Sequence, residues 1–367
     1  MPRLLYFNPE NDLALAANDA HYTPPASALQ MATDLQRLPL RWAQPDDLIL
    51  LRDGSFMDVH GTVIDRRTFN SQLSTLNFQL SARPWSLHTW RTFNSHDDPL
   101  CLPWGWSPLT VNDFLRAGVP PSLLPTDDEM QAFRTLSGRA TAADVLCRLH
   151  ERLASGGYAP SVVGEAHVCH TMEEARQWHG RWGDTMFKQP WSGSGRGLLP
   201  AHNGELTSKN EAWIARTLRL QGYLMAEPLY ERRHDFALEF WRHADGSVTF
   251  EGLSLFMTTA GGVYAGNIID SEEGKRRRLA HWADLQLIDV LTAMLEDELA
   301  ALPPTFYVGP IGVDLMLVAP HPSSINHQSS IINHHSSFLL HPCVEINFRL
   351  TMGWLALHIS PFFDEKY

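Results

Sequence analysis

Apolar and polar positions along this 367-residue chain fall into short blocks that switch between the strand period of two and the helix period of 3.6. Leu4 to Phe7 is a continuous apolar run fit for a buried strand, and Asn8-Pro9-Glu10-Asn11-Asp12 breaks it with turn chemistry. A second strand is expected over Asp47 to Leu51, ending at Asp53-Gly54. Leu80 to Trp106 is rich in tryptophan and proline and shows no clear period. Asn112 to Ala117 reads as a helix stopped by Gly118-Val119-Pro120-Pro121. Residues 1–125 therefore read as a small α/β unit.

Beyond it the pattern is mixed α/β (α+β). Asp127 to Leu136 and Ala140 to Leu153 have helical spacing, and Gly156-Gly157 ends the second. Met186 to Lys188 is a short strand running into Gln189-Pro190-Trp191-Ser192-Gly193-Ser194-Gly195-Arg196-Gly197. Leu198-Leu199 follows, then Pro200 and the turn signal Asn203-Gly204, so this glycine-rich loop joins two strands and opens no helix. Ser208 to Leu220 is the next helix, with capping-box spacing between Ser208 and Glu211. Tyr223 to Ala226 is a strand, and His234 to Trp241 with Val248 to Leu255 form a hairpin around Ala244-Asp245-Gly246. Gly274 to Ala301 reads as one long helix ended by Pro303-Pro304; Ile311 to Val318 and Val344 to Phe348 are the last strands.

Between those two strands, residues 319–341 form a low-complexity insertion in which Ser323 to Ser330 partly repeats as Ile332 to Ser337. Its histidines, His321, His327, His334, His335 and His341, have no carboxylate or cysteine beside them, so a polar insertion is the better reading than a metal site.

Composition narrows the class. Hydrophobic residues make up 44% and charged residues 19%, an ordinary globular balance, and the net charge of -12 argues against broad nucleic-acid binding. The basic run Lys275 to Arg278 reads as a solvated helix start facing Glu272 and Glu273. No apolar stretch is long enough to span a bilayer, and Met1 to Leu15 carries acids and a proline, unlike a signal peptide. Four scattered cysteines without a CxxC pair suggest neither a disulfide framework nor a zinc knuckle. A cytoplasmic protein without nucleic-acid or membrane partners is expected, and a homodimer is compatible with the sequence.

Three constellations carry candidate chemistry. Gly193, Gly195 and Gly197 lack side chains, so backbone N–H groups can approach phosphate oxygens, with Lys188, Ser192, Ser194 and Arg196 adding donors. A flexible hairpin fits the same loop equally well. The spacing matches neither a Walker loop nor a dinucleotide fingerprint. On a strand, Glu345, Asn347 and Arg349 share one face while Val344, Ile346 and Phe348 face the core. Such a polar face is costly to bury alone, and a magnesium ion would satisfy it. A solvent-facing edge strand is the plainer reading, though Leu350 to Leu357 stays apolar right after it. Asp314, the lone charge in the run Val308 to Ala319, is either a structural salt bridge or a metal ligand, and a pairing with Glu345 on a neighbouring strand favours the ligand.

These motifs, taken in order, resemble the ATP-grasp superfamily. They are Lys188-x-Pro190 with Ser192 to Gly197, Met225-Ala226-Glu227-Pro228, Gly312-Val313-Asp314 and Glu345-x-Asn347-x-Arg349. The resemblance covers about residues 126–367. It implies an ATP-grasp fold of two α+β subdomains clasping ATP, 126–226 and 227–367, preceded by a small α/β pre-ATP-grasp domain over 1–125. It also implies that Lys188 and the loop hold ATP phosphates, that Ala226, Glu227 and Leu229 meet the adenine or ribose, and that Asp314, Glu345 and Asn347 bind Mg2+, with Mn2+ as its substitute. Arg349 would stabilise the transferring phosphoryl group. Arg139 stands where the family has an earlier phosphate-binding lysine. The long insertion departs from the family's compact hairpin.

Most of that family joins a carboxylate to an amine or thiol, so an ATP-dependent ligase acting on small-molecule carboxylate and amine substrates is the expected activity. A small-molecule phosphotransferase and a nucleotide-binding regulatory protein without catalysis remain alternatives. Thr258, Thr259, Gly261, Gly262, Tyr264 and Asn267 form a polar stretch that could bind substrate, as could Glu10 and Asn11 after the first strand; an ordinary loop and a plain turn compete with those readings.

Overall fold

A computed structural model describes residues 3–64, 100–193, 197–258, 264–303, 306–320 and 338–359. The chain divides into two compact units, Met1–Ala132 and Phe133–Tyr367. Both mix helices with sheets.

In the first unit, β1 (Arg3–Tyr6), β2 (Leu48–Leu50), β3 (Phe56–Asp58), β4 (Val63–Ile64) and β5 (Leu100–Pro103) form a sheet in the order β4-β3-β2-β1-β5. β1 runs parallel to β2 and β5, and its apolar run is buried throughout, as a central parallel strand requires. Arg3 clamps the entry to β2, its Nε donating to Asp47 Oδ2 at 3.0 Å. Among the described residues its α-helices are α1 (Asn11–Ala17), α2 (Ala26–Asp34) and α3 (Pro108–Ala117), and α4 (Asp127–Leu136) leads into the second unit. The break after the first strand is thus more than a turn, because α1 begins at Asn11. α3 starts four residues before its predicted start. Ser107 caps it, and Pro108 sits in the first turn, where a missing N–H costs nothing.

The described residues of the second unit form two antiparallel sheets. In the first, β6 (His167–Cys169), β7 (Thr185–Lys188), β8 (Leu198–Ala201) and β9 (Leu224–Pro228) lie in the order β6-β9-β7-β8. α5 (Arg139–Ser155) precedes it. α6 (Met172–Trp182) and α7 (Ser208–Gln221) pack on it around a core of Cys169, Ala175, Phe187, Ala201, Ile214, Leu224 and Ala226. Pro200 does not end β8 as a turn residue. The strand runs through it to Ala201, because β8 is an edge that needs no N–H there. The box at the start of α7 is Thr207 with Asn210, not Ser208 with Glu211. Thr207 has the extended backbone a cap needs, while Glu211 reaches across to Arg176 at 2.7 Å.

The second sheet comprises β10 (Arg232–Arg242), β11 (Val248–Thr258), β12 (Tyr264–Asn267), β13 (Gly309–Val318) and β14 (Leu339–Asn347), in the order β12-β11-β10-β13-β14. The β10–β11 hairpin turns where expected, with Gly246 at φ 86°. The long helix expected over Gly274 to Ala301 is two, α8 (Glu272–Leu279) and α9 (Leu285–Ala300). Asp284 is responsible for the break. Its carboxylate accepts from Gln286 N at 2.9 Å and caps α9, competing with continuation of the helix. The basic run is not wholly solvated either. Lys275 is buried, donating to Leu253 O at 2.6 Å and facing Glu272 at 2.9 Å. Most of the low-complexity insertion lies outside the described residues, as do Ser194, Gly195, Arg196, Thr259, Gly261 and Gly262. α10 (Met352–Ile359) closes the described chain. Among the described residues, no helix is long and apolar enough to cross a membrane.

Leu291 of α9 is fully buried, whereas Leu220 at the end of α7 is 61% exposed. Leu291→Ala should cost about 2–5 kcal/mol in urea unfolding, and Leu220→Ala less than about 0.5 kcal/mol. Equal costs would contradict this packing.

Candidate functional site

The register of the second sheet decides which side chains meet. Asp314 lies opposite Ala237 on one side and Glu345 on the other, while Gly312 lies opposite Glu239 and Asn347. Ser254 pairs with Ala237 and Gly252 with Glu239. Two cross-strand rows therefore share one face: Ser254, Ala237, Asp314, Glu345 and Gly252, Glu239, Gly312, Asn347. The opposite face carries Phe236, Leu238, Val313, Leu315 and Ile346, all buried. Asn347 Nδ2 donates to Asp314 Oδ2 at 3.4 Å, and Arg349, just past the end of β14, donates to Asn347 Oδ1 at 2.9 Å.

A cleft of about 230 Å³ opens over this face. Its lining brings Gly193 of the glycine-rich loop together with Asp314, Glu345, Asn347 and Arg349, and also takes in Thr258, Tyr264 and Asn267. Arg139, at the first turn of α5, spans the gap between loop and sheet. It donates to Ser192 Oγ at 3.3 Å and Gln189 O at 3.3 Å, and its Nη2 pairs with Glu345 Oε2 at 2.7 Å. The loop closes on itself where Gln189 N donates to Gly197 O at 2.8 Å. Gly197 has φ 67°, and a Cβ there would lie 2.7 Å from the Ser192 and Gln189 side chains, so only glycine fits.

Lys188 ends β7, and Glu227 lies within β9, the neighbouring strand. Both are buried, and they pair at 2.6 Å. Ala226 is buried in the same strand, and the Leu229 amide donates to Asp184 O at 3.1 Å. His341 is the one histidine of the insertion that is described. It sits inside β14 and is held neutral, pushed down to about 3 by burial and by Lys188 and His150.

Charge on the acid face is under-compensated. Burial, then the neighbouring Glu345, raises Asp314 to about 7. Burial raises Glu239 to about 8, against the bond it accepts from Thr351. Among the described residues no three His, Cys, Asp or Glu side chains gather into a metal-binding group. The donor set here is instead two carboxylates and one amide, hard oxygens of the kind magnesium takes alongside phosphate and water. A cation would relieve the repulsion that raises Asp314, so these residues fit it.

Glu10 and Asn11 belong to the first unit, where both are buried. Glu10 pairs with Arg52 at 2.7 Å, and Asn11 begins α1. Sequence reasoning missed Glu239, Ser254, Thr351 and Gly353, which line the same cleft. Glu239 carried the signal that revealed Asp314: a single acid within the apolar alternation Phe236 to Trp241.

No family model and no curated protein matches the chain. Among solved structures it is similar to D-alanyl-alanine synthetase A from Vibrio cholerae, at 12% identity and TM-score 0.43 over 100% of this chain and 93% of that one. It is similar to a Campylobacter jejuni biotin carboxylase at 13% identity and TM-score 0.46, covering 98% and 67%. The biotin carboxylase domain of the Hydrogenobacter thermophilus 2-oxoglutarate carboxylase matches at 14% identity and TM-score 0.41, covering 63% of this chain. The chain spans 47% of that structure's length. Likeness at this level assigns neither reaction nor substrate.

The raised acids set a pH dependence. Between the ordinary carboxylate range and the folded values, the folded protein holds protons that the unfolded chain has lost, so stability falls as pH rises. In metal-free buffer the melting temperature of Asp314→Asn should gain on that of the wild type by several degrees from about pH 5 to pH 8, because the variant has no raised carboxyl to lose its proton. A difference between the two proteins that does not change with pH would contradict the raised carboxyl.

Proposed function

We propose that the chain is an ATP- and Mg2+-dependent ligase that joins a carboxylate to an amine through an acyl phosphate. The observation that carries the reading is the Arg139 bridge. One guanidinium ties the glycine-rich loop to Glu345, in a cleft that Gly193 shares with Asp314, Asn347 and Arg349. A glycine of that loop at the edge of a cleft lined by oxygen ligands suits a nucleoside triphosphate with its cation. The motif order, with its resemblance to the ATP-grasp superfamily, supports the same reading.

In this reading Lys188, Arg139, Ser192 and the loop from Gly193 to Gly197 hold the phosphates. Residues 226–229 carry the adenine and ribose, with Glu227 released from Lys188 to the sugar. Asp314, Glu345 and Asn347 hold Mg2+, which when bound neutralises phosphate charge. Arg349, beside Asn347, stabilises the charge on the phosphoryl group as it moves to the carboxylate. Thr258, Tyr264 and Asn267 line the substrate end of the cleft. Mn2+ would substitute through the same oxygens.

The test is ADP release against pooled amino acids, peptides and small carboxylic acids. Wild-type protein should release ADP with a subset of the pool, and chelation of Mg2+ should abolish it. Glu345→Gln should lower turnover by roughly a hundredfold or more. Turnover unchanged in that variant would refute the metal assignment. Arg139→Ala should raise the KM for ATP by about tenfold, because phosphate contacts made before and during transfer are lost together.

A further inference from the structure

Glu239 is the unexplained group of the cleft. It sits in the middle of β10, on the row beside Asp314, and is 1% exposed. Oε1 accepts from the Thr351 hydroxyl at 2.8 Å, but Oε2 has no hydrogen-bond partner among the described residues. A solitary buried carboxyl oxygen is costly, and most folds would have paired it or replaced the residue. Here the surroundings are instead shaped around it. A Cβ on Gly312 would lie 3.0 Å from Oε2, and one on Gly353 would lie 2.0 Å from Oε1 and 2.5 Å from Ser254 Oγ. Two glycines thus form a cup over the carboxyl, and side chains at either position would close it.

The cations that could quench Glu239 are engaged. Lys275 donates to Leu253 O and Glu272, and Arg349 donates to Asn347 and Leu350 O. Beside the cup, Asn267 donates to Ser254 Oγ at 2.7 Å, and the Tyr264 hydroxyl bonds Asn267. These polar groups line the cleft that also holds Asp314 and Arg349. Once ionised, that acid attracts a group that is cationic and can donate, and the arriving cation itself favours the ionised form. A thiol offers neither charge nor a strong donor, and a thiolate would be repelled.

Resting on the ligase reading, we propose that Glu239 is the acceptor-binding residue and that the acceptor is a small primary amine, not a thiol. The amine enters as its ammonium and donates to Glu239 Oε2, beside Ser254. It passes one proton to that carboxylate, and the freed nitrogen lone pair attacks the acyl phosphate carbon. The C–N bond forms and the C–O bond to phosphorus breaks. Phosphate leaves with the bonding pair and takes the second nitrogen proton. Atoms and charge balance without any further reactant.

Two readouts on the full-length protein separate this proposal from the ligase reading. The first is scrambling of a β,γ-bridge isotope label in ATP, with Mg2+ and pooled small carboxylic acids but no acceptor, which reports acyl phosphate formation. The second is ADP release with the same acids plus methylamine, glycinamide or 2-mercaptoethanol in separate arms. Wild-type protein should scramble the label and accelerate ADP release with an amine arm but not with the thiol. Glu239→Gln, close in volume and able to keep the Thr351 bond, should lose roughly a hundredfold of amine-dependent release while scrambling falls less than about tenfold. Ser254→Ala should raise the KM for the same amine, which keeps the test independent of one variant's folding. Undiminished amine-dependent release in Glu239→Gln, or acceleration by the thiol, would overturn the proposal. Absence of scrambling in the wild-type protein would sink the ligase reading itself, and the proposal with it.

Discussion

Asp314 and Glu345 face each other across β13 and β14, two half-buried carboxyl groups side by side on one sheet face under the cleft. The arrangement near the cleft answers that repulsion. Arg139 comes from α5 to pair with Glu345, and in doing so reaches the glycine-rich loop through Ser192. Among the described residues the side-chain donor to Asp314 is the amide of Asn347 at 3.4 Å, too little to offset the burial and the neighbouring Glu345 that raise its carboxyl. A face held in this state is strained toward protonation or toward a cation. In the proposed reading, the same tension that lowers stability would favour a bound magnesium ion.

Glycines set how closely the parts approach. Gly197 lets the loop turn back on Ser192 and Gln189, so that the loop's backbone closes against β7. Gly312 and Gly353 make room for Glu239 at the other end of the cleft. Neither role depends on flexibility for its own sake. In each case a Cβ would collide with a side chain that the site uses.

Much of this was readable from the residues. The alternation in Val344 to Phe348 placed Glu345 and Asn347 on one face, and the apolar run around Asp314 marked it as their partner; the register bears out both. The loop between two strands was legible because Asn203-Gly204 follows Leu198-Leu199 too soon for a helix. Capping was less legible. Ser208 with Glu211 has the right spacing, but backbone conformation chose Thr207 one residue earlier. The break before α9 was hidden because an exposed Asp within a helical pattern is only mildly unfavourable, so Asp284 did not stand out as the cap it is. The burial of Lys275 could not be read from a run of four cations, since only the fold shows which of them meets Leu253 O. Glu239 was overlooked although it repeated the pattern of Asp314. Its importance depends on Gly312 and Gly353, which lie far away in sequence and near only once the strands pair.

The central claim is that this acid face binds a nucleotide through a divalent cation. Calorimetric titration of a non-hydrolysable ATP analogue, with and without Mg2+, into wild-type and Asp314→Asn protein tests it most directly. The account predicts binding to the wild-type protein that weakens by roughly tenfold or more without Mg2+, and an Asp314→Asn variant in which that Mg2+ dependence is largely gone. Absence of binding to the wild-type protein, or binding that Mg2+ does not affect, would contradict it.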